Sequence, residues 1–241
     1  VDAEETLEAR VALITGAASG IGRAIASRLY AHGWRLALAD TRQAYDFGDR
    51  ALSRVVDVTD RQAVGAFVSD AEALFGGVDL VVPCAGIHRD GASESIEWCD
   101  WDQVLAVNLH GCFAVIRAAL PGMLRRGGGR IVTISSELGL TGASESAAYC
   151  ASKGAVIGLT KALAREYASA GILINSVAPG PVATEMLMAV PEYASGVEAE
   201  RLPIRRYGTP DEIAAVVEAL AGKAGTFMVG QVISPNGGAV I

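Results

Sequence analysis

Apolar residues along the chain fall into short continuous runs, separated by longer stretches in which they recur every three or four positions. The runs lie at Val11–Ile14, Arg35–Ala39, Arg54–Val56, Val78–Val82, Arg130–Ile134, Leu173–Val177 and Gln231–Ile233. Their length and continuity predict buried β-strands. The helical period covers Ile21–Ala31, Arg61–Phe75, Trp101–Leu124, Ala148–Ala168 and Asp211–Leu220. Strand and helix thus alternate, which predicts a parallel sheet with helices on both faces. No Pro/Ser-rich linker, low-complexity segment or repeat beyond this alternation interrupts the pattern. The expected architecture is α/β: one domain over 1–241, with a doubly wound parallel β-sheet of about seven strands flanked by helices. The connection from Asp40 to Asp57 has room for only a turn or two of helix.

Two stretches carry candidate chemistry. In the first, Val11–Ile14 runs into Thr15-Gly16-Ala17-Ala18-Ser19-Gly20-Ile21-Gly22, and a helical pattern follows. Strand, glycine-rich turn and helix is the context in which backbone N–H groups at a helix N-terminus meet a pyrophosphate. Gly16 permits the turn, Gly20 close approach of the backbone, and Gly22 close packing of helix on strand. The next strand ends at Asp40, eighteen residues after Gly22, where a carboxylate can accept from the hydroxyls of an adenosine ribose. In the second stretch, Tyr149 and Lys153 stand four residues apart, so a helix places them on one face. An ammonium beside a phenol favours the phenolate, which makes Tyr149 a candidate proton donor and acceptor. Ser136, thirteen residues before Tyr149 at the end of an apolar run, can hydrogen-bond a carbonyl. Alone, the Tyr-Lys pair also fits a partly solvated helix face. Asp60 fits a helix N-cap as well as a ligand contact.

The glycine spacing, the Ser136-to-Tyr149 interval, the Tyr-x-x-x-Lys pair, Asn108 in Val107-Asn108-Leu109-His110-Gly111 and the Pro179-Gly180 turn follow in order between about Val11 and Gly238. Together they resemble the short-chain dehydrogenase/reductase family in its classical subgroup. The resemblance implies a Rossmann-like domain and reversible hydride transfer between a nicotinamide and a small-molecule secondary alcohol or ketone. It implies catalytic roles for Asn108, Ser136, Tyr149 and Lys153. Tyr149 would be the general acid/base, and Lys153 would favour its phenolate and bind the nicotinamide ribose. Ser136 would polarise the carbonyl, and Asn108 would kink its helix and hold a proton-relay water. Cofactor contacts are implied for Gly16, Ser19, Gly20, Ile21, Gly22, Asp40, Asp57, Val58, Ala85, Gly86, Tyr149, Lys153, Pro179, Gly180, Val182 and Thr184. Among these, Asp57 would meet the adenine amino group, while Val182 and Thr184 would meet the carboxamide. No metal is implied, since the hydride comes from the cofactor. One departure stands out. Pro83-Cys84-Ala85-Gly86 occupies the place where the family carries Asn-Asn-Ala-Gly. The missing asparagine ties the central strands by side-chain hydrogen bonds, and a thiol is a weak donor. Local stability and cofactor affinity are expected to suffer.

NAD is the expected cofactor. A 2′-phosphate would set ~1.5–2 negative charges against Asp40. Ser19, where NADP-preferring relatives often carry Arg or Lys, is uncharged, as is Thr41. Arg42 opposes this, since in an extended segment it points to the side of Asp40. It pairs there with a phosphate or neutralises Asp40, but the carboxylate is nearer the ribose and the arginine can swing to solvent. Two alternatives stand beside the alcohol dehydrogenase: a carrier-bound 3-oxoacyl reductase, and a nucleotide-binding subunit without catalysis. The intact Asn108, Ser136, Tyr149 and Lys153 set argues against the second. Over 185–209 the periodicity is lost. Met186, Leu187, Met188, Val190, Pro191 and Tyr193 make an apolar segment there, followed by Arg201, Arg205 and Arg206. A long insertion at this place predicts a substrate lid with an adaptable, methionine-rich wall. The arginines either meet an anionic substrate group or, more commonly, lie on a solvated helix face.

Composition narrows the partners. Of 241 residues 51% are hydrophobic, enough for a large core. A net charge of −7 and a pI near 5.0 argue against a nucleic-acid partner. No apolar run approaches the ~18 residues of a membrane span. The segment 1–9 is acidic, lacks a signal-peptide core and is expected to be a frayed arm. The four cysteines form no Cys-x-x-Cys pair and the three histidines show no metal spacing. This predicts reduced thiols and a cytoplasmic protein. Cys150 is expected to be a small buried residue and His110 a packing or surface residue. Small residues such as Ala114, Ala118, Ala119, Ala151, Ala155 and Gly158 mark two helices that the resemblance pairs across a homotetramer.

Overall fold

The computed structural model describes residues 10–241; the arm expected over 1–9 lies outside the described residues. Seven parallel strands form one sheet in the order β3-β2-β1-β4-β5-β6-β7. They are β1 (Val11–Thr15), β2 (Arg35–Asp40), β3 (Ala51–Val55), β4 (Leu80–Pro83), β5 (Gly129–Ile134), β6 (Ile172–Val177) and β7 (Val232–Ile233). The strand predicted over Arg54–Val56 thus lies at Ala51–Val55. It is an edge strand with Val55 exposed, so its apolar signal is thin. Between Asp40 and β3 the only helical element is a 3₁₀ turn at Gly48–Arg50.

Helices cover both faces. On one, α2 (Arg61–Phe75), α4 (Cys112–Arg126) and α6 (Ala147–Tyr167) enclose Leu13, Val81, Ile131 and Ile174. On the other, α1 (Gly20–Ala31) and α10 (Pro210–Ala221) enclose Ile14, Leu36, Leu38 and Val82. Each such fully buried side chain contributes roughly 1.5–3 kcal/mol by leaving water. Local chemistry sets the helix starts. The Asp60 carboxylate caps α2 by accepting from the Gln62 and Ala63 N–H groups, worth about 1 kcal/mol. Thr209 and Glu212 form a reciprocal capping box on α10. At α1, Ser19 makes no side-chain cap and the first turn holds no acid. That N-terminus is left open for a ligand.

The helix predicted over Trp101–Leu124 is longer and not uniform. It comprises α3 (Trp98–Leu105), a π-helical turn (Ala106–Gly111) and α4. By length and composition alone Trp98–Arg126 would suffice to cross a membrane, with a mean hydropathy of 1.5 over its best window. Here Val115, Ile116, Ala119 and Met123 bury it in the core instead. The segment 185–209 contains three single-turn helices, α7 (Glu185–Met188), α8 (Pro191–Ala194) and α9 (Val197–Arg201), with α5 (Leu138–Thr141) completing the set. From β1 the chain builds outward to β3, then returns to β4 on β1's other side and builds the opposite way. The crevice at such a reversal, beyond the strands' C-terminal ends, is where open α/β sheets bind ligands.

Candidate active site

A cleft of about 600 Å3 occupies that crevice. Its floor is the turn between β1 and α1. Gly16 adopts φ +68°, and a Cβ there would lie 2.8 Å from the Ala85 backbone. Gly22 carries the tighter constraint: its Cβ would lie 2.1 Å from the Gly16 carbonyl oxygen. Only glycine lets α1 begin this close to its own turn. The Asp40 carboxylate braces the turn, accepting from the Ala18 N–H (3.0 Å) and, through its other oxygen, from the Arg42 N–H (3.0 Å). Open N–H groups at the start of α1 and a carboxylate at the end of β2, both lining one cleft, fit the pyrophosphate and ribose of a dinucleotide. The Cys84 departure is partly compensated. The Thr15 hydroxyl accepts from the Ala85 N–H (3.3 Å) and ties the ends of β1 and β4. Cys84 itself packs against the core. Burial pushes its thiol up to about 12, against the opposing pull of Lys153, so it is an inert apolar filler.

Ser136, Tyr149 and Lys153 line the same cleft. Ser136 follows β5, and its Oγ accepts from the Leu138 N–H (3.1 Å). Its own O–H therefore remains to donate to a carbonyl. Lys153 is 5% exposed. Its Nζ donates to the Ile134 carbonyl (3.0 Å) and stands 5.6 Å from the Tyr149 ring centre. The Ser135 hydroxyl bonds the Lys153 carbonyl (2.8 Å), and Thr133 pairs with Thr160 (2.8 Å). These links lock α6 against β5 and fix both catalytic candidates on rigid elements. Asn108 sits in the π turn, buried. Its Oδ1 accepts from the Ile87 N–H (2.8 Å), and its Nδ2 donates to the Ile87 carbonyl (2.9 Å) and the Ser152 hydroxyl (3.0 Å). The side chain is thus a clamp between the β4 loop and α6, beside Tyr149 and Lys153.

The remaining predicted contacts gather around the cleft, several with structural bonds of their own. Ser19, Gly20, Ile21, Val58, Ala85, Gly86, Pro179 and Gly180 line it. Asp57 also lines it while one carboxylate oxygen accepts from the Thr59 N–H (2.9 Å) and hydroxyl (2.8 Å). The Val182 carbonyl accepts from the Thr184 N–H (2.7 Å). Thr184 caps α7 through its hydroxyl and faces Gly20 across the cleft. From the segment 185–209, Met186, Leu187, Val190 and Tyr193 line the cleft. Arg201 and Arg206 do not; they pair with Glu198 and Glu212 at the surface. Arg42 is exposed, and its guanidinium donates to Ser19 Oγ (2.7 Å) and pairs with Glu185 (3.4 Å). Cys150 is half-buried rather than buried, and His110 is exposed.

Beyond the sequence candidates, His88 and Glu137 bring titratable groups to the cleft. The His88 ring lies 4.4 Å from the Tyr149 ring, with Nε2 3.1 Å from both Ser146 Oγ and Asp90 Oδ1. Burial lowers its pKa despite the nearby Asp90, so the imidazole is neutral. Glu137, directly after Ser136, is 7% exposed. Its carboxylate makes no hydrogen bond among the described residues, and Oε2 is fully buried. Burial raises its pKa from 4.5 to about 7. The native carboxyl therefore holds its proton to higher pH than the unfolded one. Its contribution to stability is full below about 4.5 and is lost as pH rises through about 7. Glu137→Gln is expected to remove that slope. The variant should melt about 2–4 °C above the wild type at pH 8, as ~1 kcal/mol would give, with the gap closing toward pH 5. Melting curves across that range check it; a gap independent of pH would contradict it.

A family model described as enoyl-(acyl carrier protein) reductase matches residues 16–240. The chain is 37% identical to a 3-oxoacyl-(acyl-carrier-protein) reductase of Thermotoga maritima, over 98% of this chain and 99% of that protein. It is 38% identical to a D-threitol dehydrogenase of Mycolicibacterium smegmatis, over 100% of this chain and 96% of that protein. The crystal structure of levodione reductase superposes with a TM-score of 0.88 at 33% identity, covering 95% of this chain and 96% of that one.

Proposed function

The chain belongs to the short-chain dehydrogenase/reductase family, and from that premise we propose that it is an NAD(H)-dependent oxidoreductase interconverting a secondary alcohol and a ketone. One observation carries the reading: Ser136, Tyr149 and Lys153 share a cleft with the glycine turn and Asp40. When bound there, a nicotinamide supplies the acceptor or donor of hydride. The protein's own part is to orient the substrate oxygen and move its proton. The Ser136 hydroxyl donates to that oxygen. The Tyr149 phenol takes the hydroxyl proton during oxidation and returns it during reduction. The buried Lys153 ammonium stabilises the phenolate between those events, and Asn108 holds the relay side of α6 in place. Nicotinamide absorbance with a panel of ketones and alcohols tests the reading. Cofactor binding without turnover of any of them would favour the non-catalytic subunit instead. The similarity to 3-oxoacyl-(acyl-carrier-protein) reductases favours a second reading, a 3-oxoacyl thioester substrate. A β-ketoacyl thioester in the same panel separates the two.

NAD rather than NADP follows from Asp40. Its carboxylate is fixed by two backbone N–H groups and cannot turn away from an added phosphate. Arg42 is the counterweight, but its guanidinium is shared with Glu185 and Ser19. The expected preference is at least about tenfold in kcat/KM, ~1.4 kcal/mol. NADH should also bind more tightly than NADPH by fluorescence titration, and Asp40→Ala should narrow both gaps. Equal use and equal binding of the two cofactors would show that Arg42 governs the site.

The homotetramer belongs to the same reading. Ala151 and Gly158 on α6 and Phe113 on α4 are exposed, and Phe227 is fully exposed before β7. A light-scattering mass of 24.9 kDa at micromolar concentration would contradict the assembly.

A further inference from the structure

The cleft wall beside the catalytic tyrosine is not uniformly apolar. The segment 185–209 contributes Met186, Leu187, Val190 and the Tyr193 phenol, and Glu137 and His88 line the same cleft. Glu137 is the anomaly. A buried carboxyl with no partner is costly, and such groups in native proteins call for an explanation. Nothing about its placement is accidental. Its N–H donates to the Pro179 carbonyl (2.9 Å), and its own carbonyl accepts from the N–H groups of Leu140 (2.8 Å) and Thr141 (3.0 Å). The backbone is thus pinned where the residue lines the cleft. It shares the cleft with the Tyr193 phenol, whose pKa is raised by burial first and by Glu198 and Glu137 after it. In the same cleft, His88 is held by Ser146 and Asp90 with its ring on Tyr149.

We propose that Glu137 recognises a second hydroxyl group on the substrate, one or two carbons from the reacting carbon, so that the substrates of this site are vicinal diols or larger polyols and their hydroxyketones. The inference rests on the alcohol/ketone reading above. The spacing supports it, because Glu137 adjoins in sequence the serine that holds the reacting oxygen. Both residues line the one cleft, so a substrate held by Ser136 passes close to Glu137. Chemistry distinguishes a hydroxyl from an ammonium. Burial leaves this carboxyl partly protonated near neutral pH, able both to donate and to accept, as a hydroxyl does. An ammonium needs a full negative charge. An acyl chain would leave the carboxyl buried and unpaired, which disfavours it.

The test uses three matched substrates, butane-2,3-diol, butan-2-ol and 3-aminobutan-2-ol, with the wild type, Glu137→Gln and Glu137→Leu. The readout is the ratio of kcat/KM for diol over mono-alcohol, from which a general loss of folding or catalysis cancels. The wild-type ratio is expected to be about ten or more, the yield of one hydrogen bond to a charged or partly charged group. Glu137→Leu should bring it to about one, with Glu137→Gln between. A wild-type ratio near one, or a ratio unchanged in both variants, would overturn the assignment. Preference for the amino alcohol over the diol would overturn it in favour of an ammonium ligand. Absence of turnover of all three substrates by the wild type would instead strike the alcohol oxidoreductase reading on which the inference stands.

Discussion

Tyr149→Phe is expected to lower kcat by about 10²–10⁴-fold while leaving cofactor binding near normal, the loss typical of removing a general acid/base. The substitution keeps the ring, which packs on His88, and removes only the hydroxyl. That hydroxyl makes no bond to the protein among the described residues, so its loss leaves no partner unsatisfied. In the proposed mechanism Ser136 would donate to the substrate oxygen without accepting its proton, and the Lys153 Nζ is tied to the Ile134 carbonyl. Glu137 also lines the cleft with its pKa raised to about 7, but in the proposed complex its carboxyl is engaged by the substrate's second hydroxyl. His88 comes nearest, and its nitrogen is committed to Ser146 and Asp90. Steady-state kinetics with a parallel cofactor titration check the prediction. Retention of more than about a tenth of the wild-type kcat would end the assignment.

Gly22→Ala is the second large effect. The new methyl would stand 2.1 Å from the Gly16 carbonyl oxygen and 2.8 Å from its carbon. The obstructing atoms are backbone, so no rotamer relieves them, and α1 must move off the turn. Overpacking of this kind costs about 1–3 kcal/mol, a fall of roughly 2–12 °C in Tm. The same shift displaces the open N–H groups at the start of α1, so cofactor affinity should fall by about tenfold or more. Gly65→Ala is the control. It lies in α2, where a Cβ meets nothing within 4 Å, and it should stabilise by up to about 1 kcal/mol. Equal melting temperatures for the two variants would refute the packing account of Gly22.

The fold was legible in the sequence where burial is two-sided. β1, β2, β5 and β6 lie inside the sheet, and their apolar runs stand out against the helical period. β3 was misplaced because it is an edge strand with exposed Val55, so half its residues obey solvent rather than core. The start of α3 was missed for a similar reason, since Trp98 is 78% exposed and adds no apolar stripe. The single-turn helices over 185–209 have too few residues to show a period. At the site, the glycine turn, Ser136, Tyr149, Lys153 and Asp40 were legible because their chemistry depends on fixed local spacing. Glu137 and His88 were not, since each stands alone in sequence and draws meaning only from burial and from the cleft around it. A faint signal existed for Glu137: an acid directly following a run otherwise composed of apolar and hydroxyl residues. Asn108 was read as a kink and water site. The structure places it in a π turn, and the clamp onto Ile87 and Ser152 could be seen only in three dimensions.

The central claim, hydride transfer from an alcohol carbon in the cleft formed by Ser136, Tyr149 and Lys153, is tested most directly by isotope transfer. The enzyme is incubated with NAD and butane-2,3-diol carrying deuterium on both hydroxyl-bearing carbons, and the reduced nicotinamide is weighed by mass spectrometry. The account predicts one deuterium in each molecule of NADH formed, with formation nearly abolished in Tyr149→Phe. NADH without deuterium, or none formed by the wild type from the diol or from any deuterated alcohol of the panel, would contradict it.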